Sequence, residues 1–430
     1  MRICVFALGK IGLPLAVQFA GRGHHVVGVD VAPRVVELVN SGVAPFPGET
    51  GLDEALKQAV ADGLLTATAD GSAAVAQADA VVIVVPLVVD AHGVPDFGPL
   101  DAATRAVAAG LRPGTLVSYE TTLPVGTTRG RFAPMLEAGS SLAAGRDFAL
   151  VFSPERVSSG RIFADLRRYP KLVGGIDAAS AERGVVFYEQ VLEFDHRRDL
   201  ARPNGVWNLG AAEASELAKL AETTYRDVNI GLANTFARYA DTIGVDIADV
   251  IEACNSQPFS HIHQPGIAVG GHCIPVYPRM YLWNDPDAEV VRVARASNAA
   301  MPEYAVSLLA REHGDLKDER VVVLGVAYRG GVKETAFSGV FPTVEALAAR
   351  GAVVLVADPM YTDEEIRALG FEPYAAGSPA DAAIVQTDHR EYRKLGPDDL
   401  PGVRTLVDGR RITDPELWAG VRVRTIGAGR

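Results

Sequence analysis

Six short runs in the first half of the chain are apolar almost from end to end: Ile3–Phe6, Val26–Val29, Ala80–Val85, Leu116–Tyr119, Ala149–Phe152 and Lys171–Val173. Strands without a polar face must be covered on both sides, which is the condition of parallel strands sandwiched between helices. Helix-length segments such as Pro14–Ala20 and Asp101–Ala109 separate them. The alternation predicts a doubly wound parallel sheet. A second α/β pattern opens at Arg320, with strands at Val321–Leu324, Ala352–Val356, Ala383–Gln386 and Thr405–Val407 and a helix at Thr343–Arg350.

The texture between these patterns is different. No proline occurs from Ala211 to Gln257, and Leu217, Leu220, Ala221, Thr224, Val228, Leu232, Phe236, Ala240 and Ile243 recur at steps suited to a helix. A helix over Ala211–Ile243 runs about 50 Å at 1.5 Å per residue. Flanking domains do not cover so long an amphipathic rod, so a homodimer is expected. With 430 residues, too many for one core, the expected fold is α/β: two Rossmann-like doubly wound domains, 1–200 and 315–430, joined by a central helical domain, 205–300.

The net charge of −12, with no run of Lys or Arg, argues against nucleic acid and membrane surfaces as partners. No apolar stretch is long enough to span a membrane, and Met1-Arg2-Ile3-Cys4 reads as the start of a strand rather than a secretory signal. The widely spaced Cys4, Cys254 and Cys273 suit neither a disulfide framework nor a zinc site. The expectation is a cytoplasmic enzyme without a metal, with Cys4 and Cys254 in the core.

The first strand runs into Ala7-Leu8-Gly9-Lys10-Ile11-Gly12, a helix follows, and the second strand ends in Asp30. This is the order of a dinucleotide site. Gly9 lets backbone approach a pyrophosphate, Gly12 permits close helix packing, and the helix N-terminus faces the phosphates. Asp30 stands where a carboxylate binds a ribose 2′-hydroxyl and repels a 2′-phosphate, which favours NAD over NADP. Arg34, one turn on, is placed for the adenosine end. Ala7 occupies the first glycine position of the fingerprint. Gly325-Val326-Ala327-Tyr328-Arg329, after the first strand of the second pattern, lacks a full fingerprint and fits either a nucleotide site or a structural turn.

Cys273 sits in Gly270-Gly271-His272-Cys273-Ile274-Pro275. Glycines beside a thiol allow a ligand to approach, and a thiolate is a competent nucleophile toward an aldehyde. On its own, such a cysteine is more often structural.

The whole chain resembles the UDP-glucose/GDP-mannose dehydrogenases, especially the branch acting on UDP-N-acetylhexosamines. The resemblance rests on Val29-Asp30 with Arg34, Pro47–Asp53, Glu120–Thr128, Ser153-Pro154-Glu155-Arg156, Pro170-Lys171-Leu172-Val173-Gly174-Gly175 and Lys219-Leu220-Ala221-Glu222. It continues through His263-Gln264-Pro265-Gly266, Gly270–Pro275, Gly325–Arg329 and Thr387-Asp388-His389. It implies oxidation of a nucleotide sugar at C6 in two steps, each with one NAD. The Cys273 thiolate would attack the aldehyde, a second oxidation would leave a thioester, and water would release the acid. Lys219 would stabilise oxyanions, Glu155 would serve as general base, and Thr122 would help order the water. Taken singly, each of these polar residues reads as an ordinary surface, cap or turn group. The resemblance also places Ile11, Val85, Pro86, Thr121 and Arg329 at the cofactor, and Arg156, Val157, Thr223, His263, Gly270, Tyr277, Tyr328 and Arg410 at the substrate.

Besides Ala7, three positions and one segment depart from the family pattern. Tyr277 replaces an Asp four residues after the cysteine, and a phenol cannot supply its charge near neutral pH. Thr223 replaces an Asn, Phe259 replaces an arginine of the substrate loop, and Glu334–Gly339 stands where Asp-x-Arg-x-Ser-Pro is usual. Two other readings therefore stand beside four-electron oxidation: a two-electron oxidation stopping at an aldehyde or ketone, and a catalytically silent nucleotide-sugar-binding protein. The cysteine loop argues against a β-hydroxyacid dehydrogenase of similar architecture.

Overall fold

The computed structural model describes residues 1–90, 93–158 and 160–429. The chain divides into two compact units, Met1–Ala221 and Glu222–Arg430, so the segment 205–300 is shared between them.

The first unit contains β1 Arg2–Phe6, β2 His25–Val29, β3 Leu65–Thr68, β4 Ala80–Ile83, the two-residue strands β5 Val88–Val89 and β6 Pro95–Asp96, then β7 Leu116–Tyr119, β8 Ala149–Phe152, β9 Lys171–Gly175 and β10 Val206–Ala211. Its main sheet has the order β10-β9-β8-β7-β4-β1-β2-β3. The six strands from β3 to β8 have the 3-2-1-4-5-6 order of a doubly wound dinucleotide fold, whose ligand crevice lies where the order reverses, beside β1 and β4. All four residues of β4, β7 and β8 are buried, because helices such as Gly12–Gly21, Gly98–Gly110 and Ala178–Val191 pack on the sheet.

The expectation of an all-parallel sheet fails at one place. β9 runs antiparallel to β8, with Val151 opposite Gly175 and Phe152 opposite Gly174. β9 is as fully buried as β4, β7 and β8, which pair parallel with one another, so its apolar pattern carries no sign of its direction.

The second unit holds β11 Arg320–Leu324, β12 Val353–Ala357, β13 Ala382–Val385, β14 Thr405–Asp408 and β15 Arg422–Thr425. The order β12-β11-β13-β14-β15, parallel throughout, is the other common doubly wound arrangement, 2-1-3-4-5. Helices Glu289–Ala299 and Met301–His313 precede this sheet in the chain.

The helix Ala212–Ile243 has 32 residues and is thus about 48 Å long. Its apolar residues are only partly covered within the chain. Leu220, Ala233, Ala237 and Ala240 are buried, whereas Leu217, Tyr225, Leu232, Phe236, Tyr239 and Ile243 are exposed along another face. Cys4 is buried as expected, but Cys254 is only half-buried. Among the described residues no helix is long and apolar enough to cross a membrane.

Candidate active site

In the first unit, the turn after β1 is shaped by Ala7 and Gly12. Ala7 has φ +71°, a left-handed conformation unusual for a residue with a side chain. Its N–H donates to the Val29 carbonyl at 2.8 Å, and its carbonyl turns toward helix Gly12–Gly21. A Cβ on Gly12 would lie 1.9 Å from that oxygen, whereas one on Gly9 would meet nothing within 4 Å. Gly12 is therefore required by packing, and Gly9 leaves open space. No side chain caps this helix and no acidic residue occupies its first turn, so its N-terminus is suited to a pyrophosphate. Asp30 accepts the Leu8 N–H on Oδ2 and the Ala32 N–H on Oδ1, each at 2.9 Å. It is only half-buried, and each carboxylate oxygen retains a lone pair for a ribose hydroxyl. These residues fit NAD.

Other proposed cofactor contacts are dispersed around the same crevice. Ile11 precedes the helix, and Thr121 Oγ1 donates to the Val85 carbonyl at 2.6 Å, joining the segments that follow β7 and β4. Pro86 is exposed, as is Arg34, which pairs with Glu37 at 3.2 Å.

Glu155 lies just beyond β8. Its Oε1 accepts the Arg156 N–H at 2.8 Å, and its Oε2 takes the Lys171 ammonium at 2.9 Å. Lys171 also reaches Glu120 Oε2 at 2.6 Å. Both lie in segments that carry the family resemblance, Glu120–Thr128 and Pro170–Gly175, but nothing in the sequence marks either for a role. The antiparallel turn of β9 explains their meeting: carried on, the β8–β9 register sets Lys171 opposite Glu155. Arg156 donates to the Pro170 carbonyl at 3.3 Å, and Val157 packs on the core. Thr122 is buried, and so is Lys219, which is no exposed helix charge.

Glu216, one turn before Lys219, is also buried. Its carboxylate accepts the N–H groups of Gly126 at 2.6 Å and Thr128 at 2.9 Å, and the Thr128 hydroxyl at 2.7 Å. It thereby anchors the loop that begins at Thr121 and Thr122. Burial pushes its carboxyl up to about 7 despite these bonds.

In the second unit, the cysteine loop rests on Tyr328. A Cβ on Gly270 would stand 2.6 Å from Tyr328 Cβ, and Gly271 adopts φ +93°. The Gly271 N–H donates to the Ala336 carbonyl at 2.8 Å, and His272 Nε2 lies 2.6 Å from Glu334 Oε1. The Glu334–Gly339 segment, which departs from the family sequence, thus still holds this loop. The Cys273 carbonyl accepts the Tyr277 N–H at 2.9 Å, so the half-buried Cys273 stands one turn before the tyrosine that replaces the usual carboxylate. Arg410 donates to the carbonyls of Gln386 at 2.8 Å and Tyr328 at 3.4 Å. Arg329 is exposed, its guanidinium 5.8 Å from the Tyr328 ring centre.

His263 is held by its N–H to Asn229 Oδ1 at 2.9 Å, and Gly266 by its N–H to Asn234 Oδ1 at 2.9 Å. Burial, with Arg226 nearby, lowers the His263 pKa. These asparagines, on the long helix, were not singled out from sequence because nothing local marks a side-chain amide as a loop clamp. Phe259 is 93% exposed, and Thr223 is buried.

Three models of the UDP-glucose/GDP-mannose dehydrogenase family match the chain: the NAD binding domain over residues 1–192, the central domain over 213–300 and the UDP binding domain over 322–415. A UDP-N-acetyl-D-mannosamine dehydrogenase of Pyrococcus horikoshii is 35% identical, the match covering 100% of both chains. An NDP-N-acetyl-D-galactosaminuronic acid dehydrogenase of Ralstonia nicotianae is 31% identical over 98% of this chain and 97% of its own. The solved structure of a UDP-D-ManNAc dehydrogenase from Pyrococcus horikoshii superposes with a TM-score of 0.87 at 34% identity, covering 100% of each chain.

Proposed function

This chain belongs to the UDP-glucose/GDP-mannose dehydrogenase family, as an NAD-dependent nucleotide-sugar dehydrogenase, and from that premise we propose that it oxidises a UDP-linked N-acetylhexosamine at C6 to the uronic acid through Cys273. The observation that carries the reading is the seating of the Cys273 loop on Tyr328, where a side chain on Gly270 would not fit. The names of the relatives support the acetamido-sugar class.

We assign the dinucleotide to residues 1–200. To 205–300 we assign Lys219, the cysteine loop and a homodimer contact, and to 315–430 the nucleotide sugar. Bound NAD supplies the hydride acceptor for each oxidation. The Cys273 thiolate adds to the aldehyde carbon and holds the acyl group as a thioester. Lys219, fixed and little hydrated, balances the charge that develops on the sugar oxygen. Glu155, assisted by Thr122, removes a proton from the water that releases the acid. Arg156, Val157, His263, Tyr328 and Arg410 bind the substrate. Thr223, buried one turn after Lys219, lies on the same face of the helix.

The test is Cys273→Ser, assayed by NADH formed per sugar and by product mass. A hydroxyl lacks thiolate character near neutral pH, so acid formation should stop. Acid made at the wild-type rate by the serine variant would refute the covalent route. A second reading, oxidation ending at the aldehyde, is favoured by Tyr277 at the usual carboxylate position. Wild-type protein would then yield one NADH per sugar, and Tyr277→Asp would raise that toward two.

A further inference from the structure

Behind Glu155 the first unit buries a row of three charges. Lys171 Nζ bridges Glu120 Oε2 at 2.6 Å and Glu155 Oε2 at 2.9 Å. Glu120 Oε1 accepts the Tyr188 hydroxyl at 2.6 Å, and that hydroxyl lies 2.7 Å from Ser118 Oγ. The ammonium also stands 4.9 Å from the centre of the Tyr188 ring. Glu120 and Lys171 side chains are 0% and 3% exposed, against 11% for Glu155. The row is open only at its Glu155 end.

Two carboxyl groups sharing one ammonium leave a net negative charge where water is scarce, and one added proton makes the row neutral. The groups facing Glu120 are Lys171 from β9, Glu155 from the segment after β8, Tyr188 from helix Ala178–Val191 and Ser118 from β7. The Ser153 hydroxyl is committed to the Leu172 carbonyl at 2.7 Å. Among the carboxyl groups of the row, Glu120 has lost the more water. Burial pushes it up to about 7, against the pull of Lys171 and with the help of Glu155.

We infer that Lys171 and Glu120 are positioning residues that store the proton Glu155 takes up, returning Glu155 to its carboxylate form. The inference rests on Glu155 acting as base in thioester hydrolysis. In that step an O–H bond of water breaks, its proton going to Glu155 while its oxygen bonds the thioester carbon. The C–S bond then breaks with its electron pair on the Cys273 sulfur, which takes the proton of the new carboxylic acid. Lys171 next gives one proton to Glu120 Oε2 and receives the one on Glu155. The ammonium is restored, Glu155 is ionised, and Glu120 is a neutral acid; nothing is oxidised or reduced. Ser118 and Tyr188 are buried at the far end, so the proton leaves by the way it came once the product has gone.

Infrared difference spectroscopy on the full-length protein tests this, following the carbonyl stretch of protonated carboxyl groups from about pH 5 to about pH 9. Glu216 titrates in the same range, so each variant is read as the change in band amplitude relative to wild type. Glu120→Gln should remove one titrating group. Glu155→Gln should keep both and move one midpoint to lower pH, because a like charge beside Glu120 is gone. Loss of a titrating group in Glu155→Gln, or full wild-type amplitude in Glu120→Gln, would place the proton elsewhere and overturn the inference. Should Glu120→Gln not fold, Glu155→Gln alone decides. The base role is read separately, from the rate of acid release by Glu155→Gln: a wild-type rate there removes the base reading, whatever the band shows. If both hold, the pH profile of acid release should lose a group near 7 in Glu120→Gln.

Discussion

Ala7 is held in a conformation that glycine adopts freely, and replacing it should stabilise the protein. Its φ of +71° places Cβ close to the following carbonyl, at a cost of about 1–2 kcal/mol relative to the right-handed region. The chain cannot relax this strain locally. The Ala7 N–H is tied to Val29 at 2.8 Å, and its carbonyl occupies the space a Gly12 side chain would need. The second unit supplies an internal control: Gly325 follows β11 as Ala7 follows β1, donates to the Ala357 carbonyl at 2.7 Å and has φ +112°.

Ala7→Gly removes the strain but frees the unfolded chain, which takes back about 0.4–1 kcal/mol. The net gain should be about 0.5–1 kcal/mol, or about 2 °C in melting temperature for a unit of this size. Ala7→Val should move the melt the other way by at least as much, since a β-branched side chain tolerates positive φ poorly. Differential scanning calorimetry with and without NAD reads both. A melting temperature that is unchanged or lower in Ala7→Gly would refute the argument, because it would mean that residue 7 is not strained in the folded protein.

Asp30 should make kcat/KM higher with NAD than with NADP, and Asp30→Ala should narrow the ratio; equal values in the wild type would remove the ribose assignment. Glu216 is ionised in the unfolded chain above about 4.5 but holds its proton to about 7 when folded. Its contribution to stability is therefore full below about 4.5 and lost as pH rises through about 7. Denaturant melts of Glu216→Gln should lack up to about 3 kcal/mol of that decline. The exposed face of Leu217, Leu232, Phe236 and Ile243 should form a homodimer contact. Light scattering at micromolar concentration should show a dimer in the wild type and a monomer in Leu232→Glu/Phe236→Glu, and a monomeric wild type would refute it.

The strands that the sequence misses lie at sheet edges, although one edge strand, β12, Val-Val-Leu-Val-Ala, is apolar enough to stand out. β1, β4, β7, β8, β11 and β13 are interior strands, apolar on both faces, and their runs stand out. β3, β10 and β15 are edge strands. β3, Leu-Thr-Ala-Thr, and β15, Arg-Val-Arg-Thr, have one fully buried residue each, so nothing lifts them above the surrounding loop. The residues of the candidate site divide in the same way. Gly12 and Asp30 are set by one local turn, and the sequence places them. Lys171 and Glu120 lie 51 residues apart and meet because β9 reverses, a tertiary event that neither flanking segment encodes. The departure from an all-parallel sheet is thus also what builds the charge row.

The two nucleotide-type units show how one turn can be kept while its chemistry is closed. Asp358 follows β12 as Asp30 follows β2, and its Oδ2 accepts the Val326 N–H at 2.7 Å as Asp30 accepts that of Leu8. In the second unit, however, His389 Nε2 lies 3.1 Å from the same oxygen, and the Asp358 side chain is 0% exposed. Although burial works the other way, the His389 bond and the N–H groups of Met360 and Val326 hold that carboxyl below its usual range. A ribose hydroxyl approaching Asp358 would have to displace the buried His389 hydrogen bond, and leaving one partner of such a bond unsatisfied costs about 1–3 kcal/mol. The half-buried Asp30 demands no such exchange. The second unit therefore keeps the strand–turn–helix frame but has no acidic group to offer a nucleotide at this position. A nucleotide held there must instead use groups such as Arg410 and Tyr328, which stand on the next strands and turns of the same sheet.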